Sequence, residues 1–299
     1  MNLRQDIREY VLANLPHNPA YTAELETKTA ESLLIIYSNW RSRLVPTVPR
    51  RVHRSKALSA NPLSSDARYN AGLAQIAATL ESGQDLTPYL SRGIRHGYIP
   101  RRPGSRRQDL DLLLNDWGVY HLHISVHIQA DGFAARTKHL LFAIIRPRDA
   151  YLIDIVGHGD WTRQSVVEIM VREWPDANLA WEMKGIVSPN RALSDIERSN
   201  LRGNHTNASF GIDGKTYMAA GGLTSAGTSF MSVLGTQHLF RTLDAFEQML
   251  RDNPDCLREA AAKQSLILSD EPDFKFEFLS EGGFGVVDKK TGIHFQIGY

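Results

Sequence analysis

The chain of 299 residues is long enough for one large domain or two to three small ones, each with a buried core. No run approaches the roughly 18 apolar residues of a transmembrane helix, and the single cysteine, Cys256, excludes an internal disulfide and a cysteine zinc site. The net charge of +1 conceals a gradient: residues 1–107 carry +8, residues 108–243 carry −2 and residues 244–299 carry −5.

The first 115 residues predict helices separated by basic loops. Apolar residues at i, i+3, i+4 and i+7 spacing, such as Leu73, Ile76 and Leu80, are typical of a helix with one buried face. Pro46 and Pro49 exclude a regular helix in the first basic loop. The predicted helices cover residues 2–15, 22–44, 63–82, 86–92 and 109–115.

The middle of the chain predicts a small sheet. Residues 119–128 alternate in polarity, residues 139–145 form a nearly continuous apolar run, and residues 150–158 form a third extended stretch. Short polar turns between them favour a three-stranded antiparallel meander. A helix is predicted over residues 162–174, where Pro175 ends it.

The last third predicts a separate mixture of elements. Asp213-Gly214 indicates a hairpin turn, residues 236–251 and 254–264 predict helices, and alternating strands close the chain. The predicted fold class is α+β, with a helical basic N-terminal part, a small antiparallel sheet core flanked by helices, and a C-terminal α+β module. The predicted divisions are residues 1–60, 61–190 and 191–299.

Arginine dominates the basic loops and predicts contact with nucleic acid. Guanidinium groups bind phosphate through two parallel hydrogen bonds and stack on bases, which lysine does less well. The alternative is that these loops pair with the acidic C-terminal part, which would then restrain the basic front. The candidate nucleic-acid-binding residues are Arg41, Arg43, Arg50, Arg51, Arg54, Arg101, Arg102, Arg106 and Arg107.

His121 and His123 are separated by one residue in a predicted strand. Residues i and i+2 of a strand share a face, so both imidazoles project the same way. Three interpretations stay open. The pair could be general acid/base groups, could bind zinc with Asp154 or His158, or could be half-exposed residues of the sheet.

A third group of candidates surrounds the second and third strands. The stretch RTKHLLFAIIRPRDAYLIDIVGHGDW, residues 136–161, resembles the central sheet of RelE/ParE-type toxins, and the likeness extends over about residues 65–162. In that family an arginine opens a strand, a second basic residue follows, and a later strand ends in a histidine and an aromatic residue. Arg136 matches the first arginine, His139 or Lys138 the second cation, His158 the histidine and Trp161 the aromatic residue.

The resemblance implies a metal-independent endoribonuclease that cuts mRNA without a cofactor, although the ParE branch of the same fold acts on gyrase instead. It implies ribosome-associated mRNA and an antitoxin protein as partners, and the acidic C-terminal part could serve as a built-in antitoxin. The N-terminal sequence lacks the apolar core of a signal peptide, so a cytoplasmic protein is expected.

The leading hypothesis is a toxin-like RNA-cleaving enzyme, acting in a toxin–antitoxin pair or in phage defence. His121 or His123 would be base or acid, with His158 as partner, while Arg136, Lys138 and His139 would hold phosphate. The alternatives are a non-enzymatic module that binds nucleic acid or protein, and a metal-dependent nuclease built on the histidines.

Overall fold

A computed structural model describes residues 2–102, 107–186, 191–279 and 283–298. The helices in this part of the chain are α1 (Leu3–Asn14), α2 (Thr22–Glu26), α3 (Ala30–Arg41), α4 (Lys56–Ala60), α5 (Pro62–Ser65), α6 (Asn70–Ser82), α7 (Leu112–Trp117), α8 (Gln164–Glu173), α9 (Asp195–Gly203), α10 (Phe230–Asp252) and α11 (Cys256–Lys263). The strands are β1 (Arg51–Arg54), β2 (Tyr120–His123), β3 (His139–Ile145), β4 (Asp149–Gly157), β5 (Ala180–Glu182), β6 (Phe210–Ile212), β7 (Lys215–Ala219), β8 (Phe274–Phe278), β9 (Phe284–Asp288) and β10 (His294–Gly298).

These helices and three small sheets confirm the predicted α+β class. The chain divides into two compact units, one formed by residues 1–38 and 232–299 and the other by residues 39–231. The predicted boundaries near residues 60 and 190 both lie within the second unit, and the three-part division stays a prediction. Among the described residues, each helix is too short or too polar to traverse a lipid bilayer.

The central sheet of the second unit has the order β1-β4-β3-β2. The antiparallel pairs β2–β3 and β3–β4 form the predicted meander. The sheet is nevertheless mixed, because β1 adds to β4 in parallel, with Arg51 opposite Asp149. The sequence did not reveal β1, since four residues with two exposed arginines lack an apolar face.

Apolar layers cover both faces of this sheet. On one face, Leu141 and Leu152 pack with Leu73 and Ile76 of α6. On the other face, Phe142 packs with residues of α7, α8 and β6. The strand residues of the two clusters largely alternate along the chain, as the pleat of a strand requires.

The strand that carries the histidines is shorter than predicted. The predicted strand over residues 119–128 ends at His123 in the structure. Beyond it, the backbone N–H of His127 donates to the Ser125 hydroxyl oxygen at 3.1 Å, a local contact that competes with the strand ladder. His127 is exposed, so it does not continue the row of His121 and His123.

The first unit joins the two ends of the chain. Leu3, Ile7 and Val11 of α1 are fully buried. The strands β8, β9 and β10 form an antiparallel sheet, and the Asp6 carboxylate of α1 accepts a hydrogen bond from the backbone N–H of Phe276 at 2.9 Å. Residues from the basic front and the acidic tail thus belong to one unit.

Candidate active site

A cavity of about 1050 Å³ lies within the unit formed by residues 39–231. Four of the predicted catalytic residues line it, namely His121, His123, Arg136 and His158. They come from β2, from the connection before β3, and from the end of β4, and so from three separate stretches of the chain. The fold brings them to one site.

The strand register places the two neighbouring histidines. His121 lies opposite Phe142 and His123 opposite Leu140, both of which belong to the apolar layer beneath α8. Because β2 is the outer strand of the sheet, one of its sides is not covered by a neighbouring strand. The imidazoles therefore lie where the apolar layer gives way to the cavity.

Trp161 connects the predicted site residues. The ring centroids of His121 and His158 lie 5.0 and 5.1 Å from the Trp161 ring centroid, both in edge-on orientation. Phe142 stacks beside the same indole at 5.9 Å. The indole thus contacts an imidazole from β2 and one from the residue after β4, with the buried Phe142 ring as its support.

An acidic side chain lies behind His121. Asp111 Oδ2 is 3.4 Å from His121 Nδ1, and the two side chains are only 17% and 14% exposed. The other oxygen, Asp111 Oδ1, accepts from the backbone N–H of Leu114 at 3.1 Å and caps the N-terminus of α7. The cap therefore fixes the carboxylate that faces the imidazole.

His123 differs from His121 in its electrostatics. Burial is the largest cause that lowers the pKa of His123 to about 4, and the nearby His121, Arg92, Arg136 and His158 contribute to the same lowering. Its Nδ1 is buried and makes no hydrogen bond with the described residues. At neutral pH the His123 side chain is therefore an uncharged imidazole.

Arginines supply positive charge around these histidines. Arg92 Nε donates to Asp131 at 2.7 Å, and Arg107 Nε donates to the buried carboxylate of Asp109 at 3.0 Å. Arg101 and Arg136 are exposed and also line the cavity. The cavity thus presents guanidinium groups, the side chains best suited to phosphate oxygens.

Arg202 of α9 forms a further part of the cavity wall. Its Nε donates to Asp116 Oδ2 at 2.7 Å, the guanidinium stacks over the Trp117 ring at 4.1 Å, and Nη1 donates to the backbone oxygen of Trp161. Burial lowers the pKa of Arg202, while the charge of Asp116 opposes this. The pair holds α7, α9 and the Trp161 segment together.

Two predicted catalytic residues lie away from the cavity wall. His139 lies on the opposite face of the sheet, where its Nδ1 is 2.8 Å from the Tyr69 hydroxyl. Lys138 is exposed just before β3, and its backbone oxygen accepts from the His158 N–H at 2.9 Å. Side-chain alternation puts His139 on the face opposite the imidazoles of β2, whereas Lys138 has the parity of Leu140, which lies opposite His123, but does not line the cavity.

The predicted nucleic-acid-binding arginines divide into two groups. Arg43 and Arg50 are buried, and they donate to the backbone oxygens of Gly93, His96, Arg146, Pro46 and Val48. These hydrogen bonds fix loops, and the phosphate contact predicted for both residues stays a prediction, with Arg43 also lining the cavity. Exposed on the described surface are Arg41, Arg51, Arg54, Arg101 and Arg102, while Arg107 is half-buried and Arg106 lies outside the described residues.

The zinc interpretation combined the two histidines with Asp154 or His158. Asp154 lies opposite Phe142, which lies opposite His121, so the register keeps Asp154 on the face of the histidines, but its side chain does not line the cavity. Asp154 instead accepts from the Asn61 side chain at 2.7 Å, away from the cavity. No group of three or more potential metal ligands is found among residues 2–102, 107–186, 191–279 and 283–298.

Sequence reasoning missed Asp111, Arg202 and His205 as lining residues of this cavity. Asp111 had a local signal, since an aspartate followed by the apolar LLL run is typical of a helix N-cap. His205 lies just after α9, with Nδ1 3.0 Å from the Ser225 oxygen, and Arg202 lies 86 residues from its partner Asp116. No local pattern identifies such distant contacts.

Comparison with known proteins gives no assignment. No family model matches the chain, and neither the curated proteins nor the solved structures contain a significant match. The class of protein therefore has to be argued from the cavity itself.

Proposed function

We propose that the chain is a metal-independent endoribonuclease of toxin type. The observation that supports this most directly is the meeting of His121 and His158 on Trp161, inside a cavity that also exposes Arg101 and Arg136. Two imidazoles and several guanidinium groups in one cavity are the functional groups that RNA cleavage by transesterification needs.

The chemistry assigns each group a task. A base removes the proton of the ribose 2′-OH, the oxygen attacks the adjacent phosphorus, and an acid protonates the leaving 5′-oxygen. Guanidinium groups stabilise the charge that develops on the phosphorane. His123 is a weak base because of its lowered pKa, so we assign proton transfer to His121 and His158 and phosphate contact to Arg136 and Arg92.

The resemblance to RelE/ParE-type toxins supports the same proposal. Arg136, His158 and Trp161, which match the family pattern, all line the cavity. We propose a cytoplasmic site of action on mRNA, and we keep the ribosome, an antitoxin protein and restraint by the acidic C-terminal part as proposed partners or controls. His139, which matches the second position of the family pattern, lies on the other face of the sheet.

A second candidate function is binding of nucleic acid without catalysis. The exposed arginines of β1 favour it, since the Arg51 side chain is 79% exposed beside Asp149. In this case the cavity histidines would hold the sheet edge together and contribute nothing to RNA turnover.

Induced expression in a heterologous bacterium separates the two functions. We expect the wild-type chain to arrest growth and degrade cellular RNA, and a double His121→Gln, His158→Gln variant to do neither at equal protein level. The matched control is His127→Gln, an exposed histidine near the same strand, which should behave like the wild type.

Intact RNA and normal growth with a folded wild-type chain would contradict the nuclease proposal. Arrest that persists in the double variant would instead support a binding function. A variant with Arg51→Gln and Arg54→Gln would then be expected to relieve the arrest.

A further inference from the structure

The two imidazoles beside Trp161 have unequal surroundings. His121 is largely buried, and a carboxylate faces its Nδ1 at 3.4 Å. His158 is exposed and contacts the indole edge. An imidazole backed by a carboxylate is held in one orientation and one tautomer, while an exposed imidazole exchanges protons freely with solvent.

We propose that Asp111 is the positioning residue of His121, so that His121 is the general base and His158 the general acid. The inference rests on the proposed ribonuclease activity and assigns roles within it. Asp111 would accept a hydrogen bond from Nδ1–H of His121 and leave the Nε2 lone pair directed at the substrate.

Two observations besides the distance support this assignment. His121 Nδ1 is buried and makes no well-aligned hydrogen bond with the described residues, so a small movement toward Asp111 would satisfy it. Hydrogen bonds between catalytic groups are often long before substrate binds. The N-cap contact with Leu114 limits the carboxylate to orientations that keep one oxygen free for the imidazole.

The proposed reaction balances without a co-reactant. His121 takes the 2′-OH proton, the 2′-oxygen forms a bond to phosphorus, and the bond from phosphorus to the 5′-oxygen breaks. Protonated His158 gives its proton to that leaving oxygen. The products are a 2′,3′-cyclic phosphate and a 5′-hydroxyl, and the two histidines end with exchanged protonation states.

The variant Asp111→Asn tests the assignment without removing the helix cap. Asparagine caps helices as well as aspartate does, so α7 and the fold should be kept. Its amide N–H would face His121 Nδ1 and favour the tautomer with the proton on Nε2, which cannot act as the base. We expect kcat to fall by roughly 100-fold or more, with KM nearly unchanged.

The matched control is Asp255→Asn, which makes the same change at the N-terminus of α11 in the other unit. It should leave kcat unchanged. Nitrogen-15 NMR of the imidazoles, with His121 assigned from the His121→Gln spectrum, gives a second readout. We expect the proton on Nδ1 in the wild type and on Nε2 in Asp111→Asn.

A substrate with sulfur in place of the leaving 5′-oxygen separates acid from base. Sulfur leaves without protonation, so His158→Gln should recover most of its lost rate on this RNA, whereas His121→Gln and Asp111→Asn should not. The reverse pattern would overturn the roles. Unchanged kcat or tautomer in Asp111→Asn would overturn the positioning role.

Failure of the proposed function would look different from failure of this inference. If the wild-type chain cleaved neither RNA, the nuclease proposal and the role of Asp111 in it would both fall. If the wild type cleaved RNA and Asp111→Asn cleaved it equally well, only the inference would fall.

Discussion

His123 illustrates how burial decides the chemistry of a single side chain. It is 7% exposed, and burial together with neighbouring positive groups lowers its pKa to about 4. An unfolded chain would protonate the same imidazole near pH 6.5. Within this interval the unfolded state binds the additional proton, so the free energy of unfolding falls as the pH is lowered from about 6.5 to 4.

We therefore expect His123→Gln to reduce the acid sensitivity of the fold. Between pH 7 and pH 4, the free energy of unfolding should fall in both proteins. After discounting for partial solvent screening, the fall should be about 2 kcal/mol smaller in the variant than in the wild type. Denaturant unfolding at several pH values measures this. The exposed His127→Gln is the control, and identical slopes for wild type and His123→Gln would contradict the account.

Local sequence predicted the common face of His121 and His123, because strand alternation depends only on neighbouring positions. It could not predict that Arg43 and Arg50 are buried. Their partners are backbone oxygens, of which Gly93 and Arg146 lie 50 and 96 residues away. Whether an arginine in a basic loop reaches solvent depends on these long-range contacts.

At the scale of elements, the close approach of α6 to the end of β2 supports the edge that carries the histidines. A Cβ added at Gly72 would lie 2.8 Å from the backbone carbonyl carbon of Ile124. Only a glycine allows the helix to approach the backbone this closely. A Cβ added at Gly235 in α10 would have no other atom within 4 Å.

The two glycines predict substitutions of opposite sign. Gly72→Ala should lower stability by about 1–3 kcal/mol and reduce RNA cleavage, because the strand backbone must shift. Gly235→Ala should raise stability by about 0.5–1 kcal/mol, because alanine is the better helix former. Thermal unfolding midpoints measure both, and a stabilised Gly72→Ala would show that α6 does not restrain β2.

Sequence patterns predicted most long elements and missed those that depend on a partner. The apolar run of β3 and the helical spacing of apolar residues in α8 were sufficient to predict these two elements. The strand β1 exists because β4 offers its edge, and the Asp154 side chain contacts Asn61 and does not line the cavity. Neither feature has a local signature, because both depend on segments that lie far apart in the sequence.

At the scale of the whole molecule, one of the two compact units is built from two discontinuous segments. Residues 1–38 join residues 232–299 in one unit, while the candidate active site lies in the unit of residues 39–231. Truncation near residue 190 would remove Arg202 and His205 from the cavity wall. Restraint by the acidic C-terminal part is therefore better tested by neutralising its exposed carboxylates in the full chain.

Cleavage of a single-stranded RNA by the purified full-length chain in EDTA, with and without ribosomes, tests the central claim most directly. We predict that the wild-type chain gives products that end in a 2′,3′-cyclic phosphate and leaves a 2′-O-methyl RNA of the same sequence intact. The His121→Gln, His158→Gln variant should cleave neither RNA. RNA left intact by the folded wild-type chain under both conditions, or equal cleavage of the 2′-O-methyl RNA, would contradict it.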